Sequence, residues 1–381
     1  MPYFDHNATT LLSPVAQEAW LKAQAEVWQN ASSPHRAGVR VGLRLQAARE
    51  KVALVMGCKP ERVVFTGGAT EATNAIMQHL SERWGETAKI AVSVTEHPCM
   101  WGAVGSYCES SQVVSLPANR GGQVVMERVD EALADGAKVV VVMAANNETG
   151  VVQPWEKIAA KCQAAGAEMV CDASQWLGKL PAHGLGEAGW VVGTAHKLGG
   201  PKGVGFMLRP AAENGLVMRR GGGQEAGQRG GTEDFPGIAA MVAALLEAEQ
   251  SKVLHESEKL RTREAFEQEM TRRLVGVNVV AGPMDRLWNT VSLVMPHGDN
   301  TRWVTRLDKR QVEVSTGSAC ASGKAAPSHV LAAMGYSADE IRRTIRVSAG
   351  WETTPTQWLE LANALVAVAA ELKPADNVVS P

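Results

Sequence analysis

The sequence lacks several features that would place it in a specialised class of proteins. None of its six cysteines belongs to a C-x-x-C pair, so we expect neither a zinc knuckle nor a thioredoxin-type redox site, and we predict no metal site. The formal net charge is −2 and basic residues are scattered, which argues against nucleic-acid binding. There is no run of about 18 apolar residues, so no membrane partner is expected.

The chain also shows no sign of an export signal. Its first segment, MPYFDHNATT, lacks the charged-then-apolar pattern of a signal peptide. A chain of 381 residues does not need disulfides to stabilise it, so we expect a cytoplasmic protein with free thiols. The 45% hydrophobic and 20% charged content is that of a soluble globular protein, and the length suits roughly two domains.

Short apolar runs such as RVVFTGG and AEMVCDASQ alternate with helical segments such as PWEKIAAKCQAAG. The β-branched run in AKVVVVMAANNETG is typical of a strand buried on both faces. This alternation predicts a large α/β domain with a mainly parallel sheet flanked by helices, over residues 15–246. Residues 1–14 and 247–381 are predicted to form a smaller α+β domain. A long helix, with room for a break, is predicted from about Ile238 to Leu274.

Polar residues cluster at the predicted ends of strands. Those that follow an apolar run are Thr70, His97, Asn147, Asp172, Gln175 and Lys197. In parallel sheets, ligands bind beyond the carboxyl ends of the strands. The sequence therefore predicts one binding site at that edge of the sheet.

These residue types suit a carbonyl cofactor. Lys197 can form a Schiff base, with pyridoxal phosphate above all, and Asp172 is placed to pair with a pyridinium nitrogen. Gln175 and Asn147 can donate hydrogen bonds to the ring oxygen, and His97 can stack on the ring. Each has an ordinary alternative: a surface lysine, an aspartate that caps a helix, a histidine that only packs. Their combination in one domain favours the cofactor.

A phosphate group needs backbone amides at a helix start together with hydroxyl donors. The segment TGGATEATN supplies Gly68, Ala69 and Thr70 at a predicted helix N-terminus, although an ordinary turn would also explain its glycines. Thr194 and His196 add donors beside the lysine. We therefore predict that these five residues bind the phosphate.

A series of segments resembles, in order and in spacing, the NifS/IscS-like cysteine desulfurases, which are fold-type I pyridoxal-phosphate enzymes. The segments are YFDHNATT, NASSPHRAG, FTGGATEATN, TEHP, NNETGVVQP, CDASQWLGKLP, TAHKLGGPKGVG, GGGQEAGQRGGT, STGSACASGKAAPSHVLAAMG and IRVSAG. The resemblance covers nearly the whole chain. It implies a seven-stranded sheet, L-cysteine as substrate and pyridoxal 5'-phosphate as cofactor.

The resemblance also assigns roles by position. It makes Lys197 the Schiff-base lysine, Asp172 the pyridinium partner and His97 the stacking residue, and it supports the ring and phosphate roles given above. It makes Cys320, in STGSACASG, the nucleophile that takes the sulfur as a persulfide while alanine leaves. The small residues around Cys320 suit a loop that carries a thiol between the cofactor and an outside acceptor.

Three further residues come from the resemblance. Asn30 and Arg346 match the pair that binds the substrate carboxylate, a role that suits a guanidinium group, although a salt bridge at a strand edge is the alternative for the arginine. Thr232, in RGGT, matches a threonine that reaches the phosphate from the other subunit, which implies a homodimer. The sulfur acceptor stays open: an iron–sulfur scaffold, a tRNA-thiolation carrier or a protein of a dedicated pathway.

Two other functions stay open at this stage. One is a related lyase acting on selenocysteine, a cysteine conjugate or a biosynthetic intermediate. The other is a binding or scaffolding protein on a degenerate form of the fold, against which the intact lysine, aspartate, histidine and cysteine argue. The sequence also departs from the family: Thr194 replaces a serine, VSAGWETT replaces a more basic stretch, and Cys99 replaces a small residue, either as packing or as a second thiol near the cofactor.

Overall fold

A seven-stranded sheet forms the centre of the larger part of the molecule. The computed structural model describes residues 2–317 and 327–373. The strands are β1 (Val63–Thr66), β2 (Ile90–Ser93), β3 (Val113–Leu116), β4 (Val139–Val141), β5 (Glu168–Asp172), β6 (Trp190–Thr194) and β7 (Gly205–Leu208). Their order is β1-β7-β6-β5-β4-β2-β3; β7 is antiparallel to both neighbours, and the other pairings are parallel. The predicted α/β class is confirmed.

Helices cover both faces of this sheet. They are α1 (Pro14–Glu26), α2 (Arg36–Met56), α3 (Ala69–Trp84), α4 (Pro98–Tyr107), α5 (Met126–Ala134), α6 (Trp155–Ala165) and α7 (Phe235–Glu247). Along β4, Val139 and Val141 belong to the apolar cluster shared with α3 and α4, whereas Val140 belongs to the cluster shared with the other helices. Because successive side chains of a strand point to opposite faces, the continuous apolar run fills both clusters.

The chain passes from the first core to the second where the predicted long helix breaks. α7 ends at Glu247, and α8 begins only at Glu256 and runs to Arg273. α7 is apolar almost throughout and packs against α1 and α2, whereas α8 packs against the C-terminal helix. Between them the chain forms a π-helical turn (Ala248–Lys252) and a 3-10 turn (Val253–His255), so the predicted break lies where the helices change from one core to the other. The sequence analysis also missed β3, a half-exposed edge strand, and the helices α4 and α5.

A second sheet holds the remainder of the chain. Its strands are antiparallel, in the order β10-β9-β8, with β8 at Asn278–Val279, β9 at Thr290–Val294 and β10 at Thr344–Ser348. The helices beside it are α8, α9 (Asn300–Asp308), α10 (His329–Ala333), α11 (Ala338–Arg342) and α12 (Pro355–Leu372). Within the described ranges, no helix combines the length and apolar character needed to cross a bilayer.

The N-terminal segment joins the two sheets. Phe4 is fully buried in the core of the second sheet, edge-on to Trp358 with ring centroids 5.1 Å apart. The Phe4 carbonyl accepts from the Ser348 amide (2.7 Å), which pairs the segment with β10. A few residues later, the Thr10 amide donates to the His196 carbonyl beyond β6 (3.0 Å). The short stretch between these contacts is therefore held at both ends.

We expect Phe4→Ala to lower the free energy of unfolding by about 3–5 kcal/mol, because a buried phenyl ring is lost and a cavity remains. Urea denaturation followed by tryptophan fluorescence measures the change. Val275→Ala is the matched control, since Val275 is 92% exposed and its loss should change stability by less than about 0.5 kcal/mol. Equal effects of the two substitutions would contradict the docking of the N-terminal segment as a stabilising contact.

Candidate active site

A cavity of about 480 Å³ opens at the carboxyl ends of the parallel strands. The predicted residues that line it are Gly68, Ala69, Thr70, His97, Asn147, Asp172, Gln175, Thr194, His196, Lys197 and Arg346. Asn30 and Thr232 do not line it; both are exposed, Asn30 between α1 and α2 and Thr232 before α7. Cys320 lies outside the described residues. Among the described residues, one chain thus brings together all of the predicted ones except Asn30 and Thr232.

Lys197 lies in a short turn directly after β6. Its Nζ donates to the carbonyl of Ala8 (2.6 Å) and to the carbonyl of Asn7, both in the N-terminal segment. The turn places the amine at the cavity wall rather than on the outer surface. The contacts hold the lysine at the point where the N-terminal segment crosses the edge of the sheet.

Asp172 is the last residue of β5, Gln175 follows three residues later, and both are buried. The Ser174 amide donates to Asp172 Oδ1 (2.8 Å), which orients the carboxylate at the strand end. Gln175 Nε2 donates to the Asn7 carbonyl (3.0 Å), and Gln175 Oε1 accepts from Lys179 Nζ (3.1 Å). The amide nitrogen of Gln175 therefore faces the cavity, where it can donate a hydrogen bond to a ligand.

His97 begins α4 as its N-cap. Its Nδ1 accepts from the Cys99 amide (3.2 Å), so the proton of the neutral ring is on Nε2. Burial lowers the pKa of His97, and the nearby Lys197 lowers it further, while Asp172 opposes the shift. The imidazole is accordingly neutral at pH 7. Burial, with the charge of Asp172, raises the pKa of Cys99 to about 12, so this cavity thiol stays protonated.

The turn between β1 and α3 has the geometry of a phosphate cradle. Gly68 adopts φ +137° and is the N-cap of α3, whose first amides face the cavity edge. Only glycine adopts this backbone region readily. Across the cradle, burial and the charge of Lys197 lower the pKa of His196 to about 4, so its ring is neutral and its Nδ1 contacts Thr9 Oγ1 (3.2 Å).

Arg346 projects from β10 of the second sheet and is only 3% exposed. Its guanidinium group donates to Asp5 Oδ1 (2.7 Å) and to the Asn147 carbonyl (3.0 Å). Its buried Nε has no hydrogen-bond partner among the residues that the structure describes. A buried cation with a donor to spare at a cavity is suited to an anionic ligand.

Sequence reasoning gave no role to several residues of this site. Asn7 and Lys179 hold the lysine and the glutamine, and Glu96 is fully buried beside His97. Burial, with the charge of Asp172, raises the pKa of Glu96 to about 8. Asn7 and Lys179 lie in segments that carried the family resemblance, YFDHNATT and CDASQWLGKLP. Their presence in these segments was the sequence feature that could have drawn attention to them, because residue order does not show that they meet in the fold.

A model of the aminotransferase class-V family matches residues 2–357. A cysteine desulfurase of Frankia sp. (strain EuIK1) is 37% identical, over 96% of this chain and 90% of its own length. The chain belongs to the cysteine desulfurases of this family. A solved NifS-like protein is similar with a TM-score of 0.89 and 26% identity, over 97% of this chain and 100% of its own. SspA, solved in complex with cysteine, is similar with a TM-score of 0.78 and 28% identity. The match covers 91% of this chain and 98% of SspA.

Cysteine desulfurases of this family depend on pyridoxal phosphate. The residues of the cavity fit that group. Lys202, Lys197 and Arg346 line the cavity against the carboxylates of Asp172 and Glu71, so its charge suits a phosphorylated ligand. A buried hydroxyl of Ser174 faces the same space without a partner in the described part of the chain. Within that part, no group of three or more His, Cys, Asp or Glu is placed to hold a metal ion.

We expect Gly68→Ala to weaken pyridoxal-phosphate binding by roughly tenfold, because an alanine at φ +137° displaces the first amides of α3. Titration of the apoprotein, followed by absorbance, measures the dissociation constant. Gly85→Ala is the matched control: Gly85 caps the other end of α3 with φ +69°, and a Cβ there would meet no atom within 4 Å. An unchanged affinity in Gly68→Ala would contradict the cradle.

Proposed function

We propose that this protein removes sulfur from L-cysteine, releasing L-alanine and leaving a persulfide on Cys320 for transfer to an acceptor protein. The observation that carries the proposal is the cavity shared by a lysine on the large sheet, Lys197, and a buried arginine on the small sheet, Arg346. A carbonyl cofactor and an amino-acid carboxylate would be held side by side there. The desulfurase relatives and the cysteine complex of SspA support the choice of substrate.

The overall step balances without an outside oxidant. The C–S bond of cysteine breaks and a new S–S bond joins its sulfur to the thiol of Cys320. The β-carbon keeps the electron pair of the C–S bond and gains a proton to become the methyl group of alanine. The sulfur of cysteine is oxidised and its β-carbon is reduced.

When bound, pyridoxal phosphate supplies an aldehyde that takes up an amine and a pyridinium ring that stabilises negative charge at Cα. Lys197 Nζ is the amine of the protein that would reach this group, and Asp172 would pair with the pyridinium nitrogen. Gln175 Nε2 and the Asn147 amide would donate to the ring oxygen. Gly68, Ala69 and Thr70, with Thr194 and His196, would hold the phosphate.

The substrate is oriented by its carboxylate. Arg346 binds this group through its fork of N–H donors, at a depth where little water competes. The family resemblance assigns Asn30 to the same carboxylate, although Asn30 is exposed and outside the cavity lining of its own chain. His97 would pack on the ring, and its Nε2, which carries the proton of the neutral imidazole, could exchange a proton with a reacting atom of the substrate.

We expect Cys320→Ala to lose almost all formation of alanine and of persulfide while it keeps the absorption band of bound cofactor, because only the nucleophile is removed. Alanine is quantified after incubation with cysteine and a thiol reductant. Cys108→Ala is the control, since Cys108 is a half-buried thiol at the end of α4, outside the cavity lining.

Sulfide release at the full rate by Cys320→Ala would rule out the persulfide step. Alanine formed from selenocysteine but not from cysteine would instead favour a selenocysteine lyase. A wild-type preparation that is colourless and does not bind pyridoxal phosphate would overturn the enzymatic function altogether.

We further propose that the active form is a homodimer in which Thr232 completes the phosphate site of the partner subunit. Thr232 is exposed next to Arg229 in a groove that borders Gly67 and Gly203, two residues of the cavity lining. The hydroxyl is thus outside its own cavity, on a surface beside it. We also propose that residues 15–246 form one domain and residues 1–14 and 247–381 the other.

Subunit mixing tests this arrangement. Lys197→Ala and Thr232→Ala homodimers should each be impaired, the first completely and the second through weaker cofactor binding. In a mixed dimer, the Lys197→Ala subunit supplies an intact Thr232 to the intact Lys197 of the other subunit. Co-expression with two affinity tags should therefore restore about one full site per dimer, as in the subunit complementation of shared sites. Absence of any recovery in the purified mixed dimer would place Thr232 within its own subunit's site.

The proposed location is the cytoplasm, because the persulfide chemistry requires a reduced nucleophile. The five cysteines in the described ranges are all free. The acceptor is proposed to be an iron–sulfur scaffold or another sulfur carrier, with no nucleic acid or membrane as a partner. Identification of the protein that takes labelled sulfur from the persulfidated enzyme tests this choice.

A further inference from the structure

We propose that Lys179 is a positioning residue that fixes the orientation of the Gln175 amide, so that the N–H donors of Gln175 face the cofactor. This inference rests on the proposed function and extends it to a residue behind the ring site. Lys179 is not among the residues that line the cofactor cavity. It therefore acts through Gln175 and not by contact with the ring.

The orientation follows from the chemistry of the two side chains. An ammonium group carries only donors, whereas a glutamine amide has a donor end and an acceptor end. Lys179 Nζ lies 3.1 Å from Gln175 Oε1, so the acceptor end is held toward the lysine. The donor end must then point the other way, where Nε2 meets the Asn7 carbonyl at 3.0 Å beside the cavity. A flipped amide would place two donors against an ammonium group.

Lys179 is buried, which is rare for a lysine unless its ammonium group is paired. It is 5% exposed, and burial of an ammonium group is costly. Burial, assisted by the charge of Lys197, lowers the pKa of Lys179 to about 7, so the donor-only ammonium form that orients Gln175 is the major form below pH 7. A methionine of similar length would fill the same space without this cost. The retained amine points to a task that an apolar side chain would not perform.

Two tryptophans of the second sheet hold the turn that carries Lys179. Trp351 Nε1 donates to the Gly178 carbonyl (2.6 Å), and Trp288 Nε1 donates to the Lys179 carbonyl (3.1 Å). Their rings pack against each other with centroids 4.3 Å apart. Gly178 has φ +74°, and a Cβ there would come within 2.6 Å of Leu198 Cβ. The turn is therefore fixed by contacts on both sides.

Trp351 lies in the VSAGWETT stretch, where the sequence departs from the more basic family pattern. The departure has a consequence inside the protein, because the indole N–H reaches a backbone carbonyl next to Lys179. The second sheet thereby acts on the cofactor site through the turn, Lys179 and Gln175. Arg346, also of the second sheet, lines the cavity directly, so the effect through Lys179 is separate from the contact made by Arg346.

Lys179→Met tests the proposal in the holoenzyme. The variant should shift the absorption band of bound pyridoxal phosphate and the pH at which that band titrates, because the Asn7 carbonyl alone then orients the Gln175 amide and its donors are held less firmly toward the ring. The dissociation constant for pyridoxal phosphate should rise about fivefold, as expected for loss of one hydrogen bond to the ring. A wild-type spectrum, titration and affinity in Lys179→Met would overturn the proposal.

A double-mutant cycle with Gln175→Ala separates this role from general destabilisation. If Lys179 acts through Gln175, Lys179→Met should change neither the spectrum nor the affinity further in the Gln175→Ala background. Additive effects would overturn the proposal. A colourless wild-type protein would instead overturn the proposed function, so the two failures are distinguishable.

A second variant decides the question if Lys179→Met does not fold. Trp351→Phe keeps an aromatic ring but removes the N–H that donates to the Gly178 carbonyl. It should shift the absorption band of bound pyridoxal phosphate in the same direction as Lys179→Met, by a smaller amount. Trp176→Phe is the matched control, because Trp176 Nε1 donates to the Pro181 carbonyl (2.8 Å) in the same segment without contacting the turn carbonyls. An unshifted band in Trp351→Phe, or an equal shift in Trp176→Phe, would count against the proposal.

Discussion

Asn7 is the point at which the two sheets and the active-site cavity meet. It is 1% exposed, and its side-chain Nδ2 donates to Thr290 Oγ1 (2.9 Å) and to the Asn147 carbonyl (3.1 Å). Its carbonyl accepts from Gln175 and from Lys197, and its Oδ1 accepts from Asn289 (3.0 Å). Because a buried polar group is costly unless it is paired, this network permits few arrangements of the segment. The relative position of the two sheets follows from it.

The same burial sets the charge state of the site. His97 and His196 are neutral at pH 7 because their rings are removed from water near the cationic Lys197. Arg346, by contrast, is held as a buried cation by Asp5. A cofactor phosphate and a substrate carboxylate would therefore meet cations on both sheets, whereas the histidines contribute uncharged faces and single protons. The fold therefore decides which donors of the site are neutral and which are charged.

The parallel sheet and the identity of most cavity residues were predictable. The β-branched run at Val139–Val141 is buried on both faces, as its composition indicates, and Asp172 ends the strand whose apolar run it follows in the sequence. The edge strand β3 was missed because only one of its four residues is fully buried, which weakens the apolar signal. The break between α7 and α8 depends on which core each helix packs against, and local helix propensity does not contain that information.

The sequence by itself determined the fold class, the family and the set of side chains available to a cofactor, because these follow from periodicity and from motifs in order along the chain. Only the tertiary structure decided which backbone groups orient them. Lys179 and Gln175 are only four residues apart, yet their effect on the cavity depends on Asn7, far away in sequence. Trp351 reaches Gly178 only after the two sheets have packed. Hydrogen-bond direction is a property of atoms brought together by folding, so residue order alone does not reveal it.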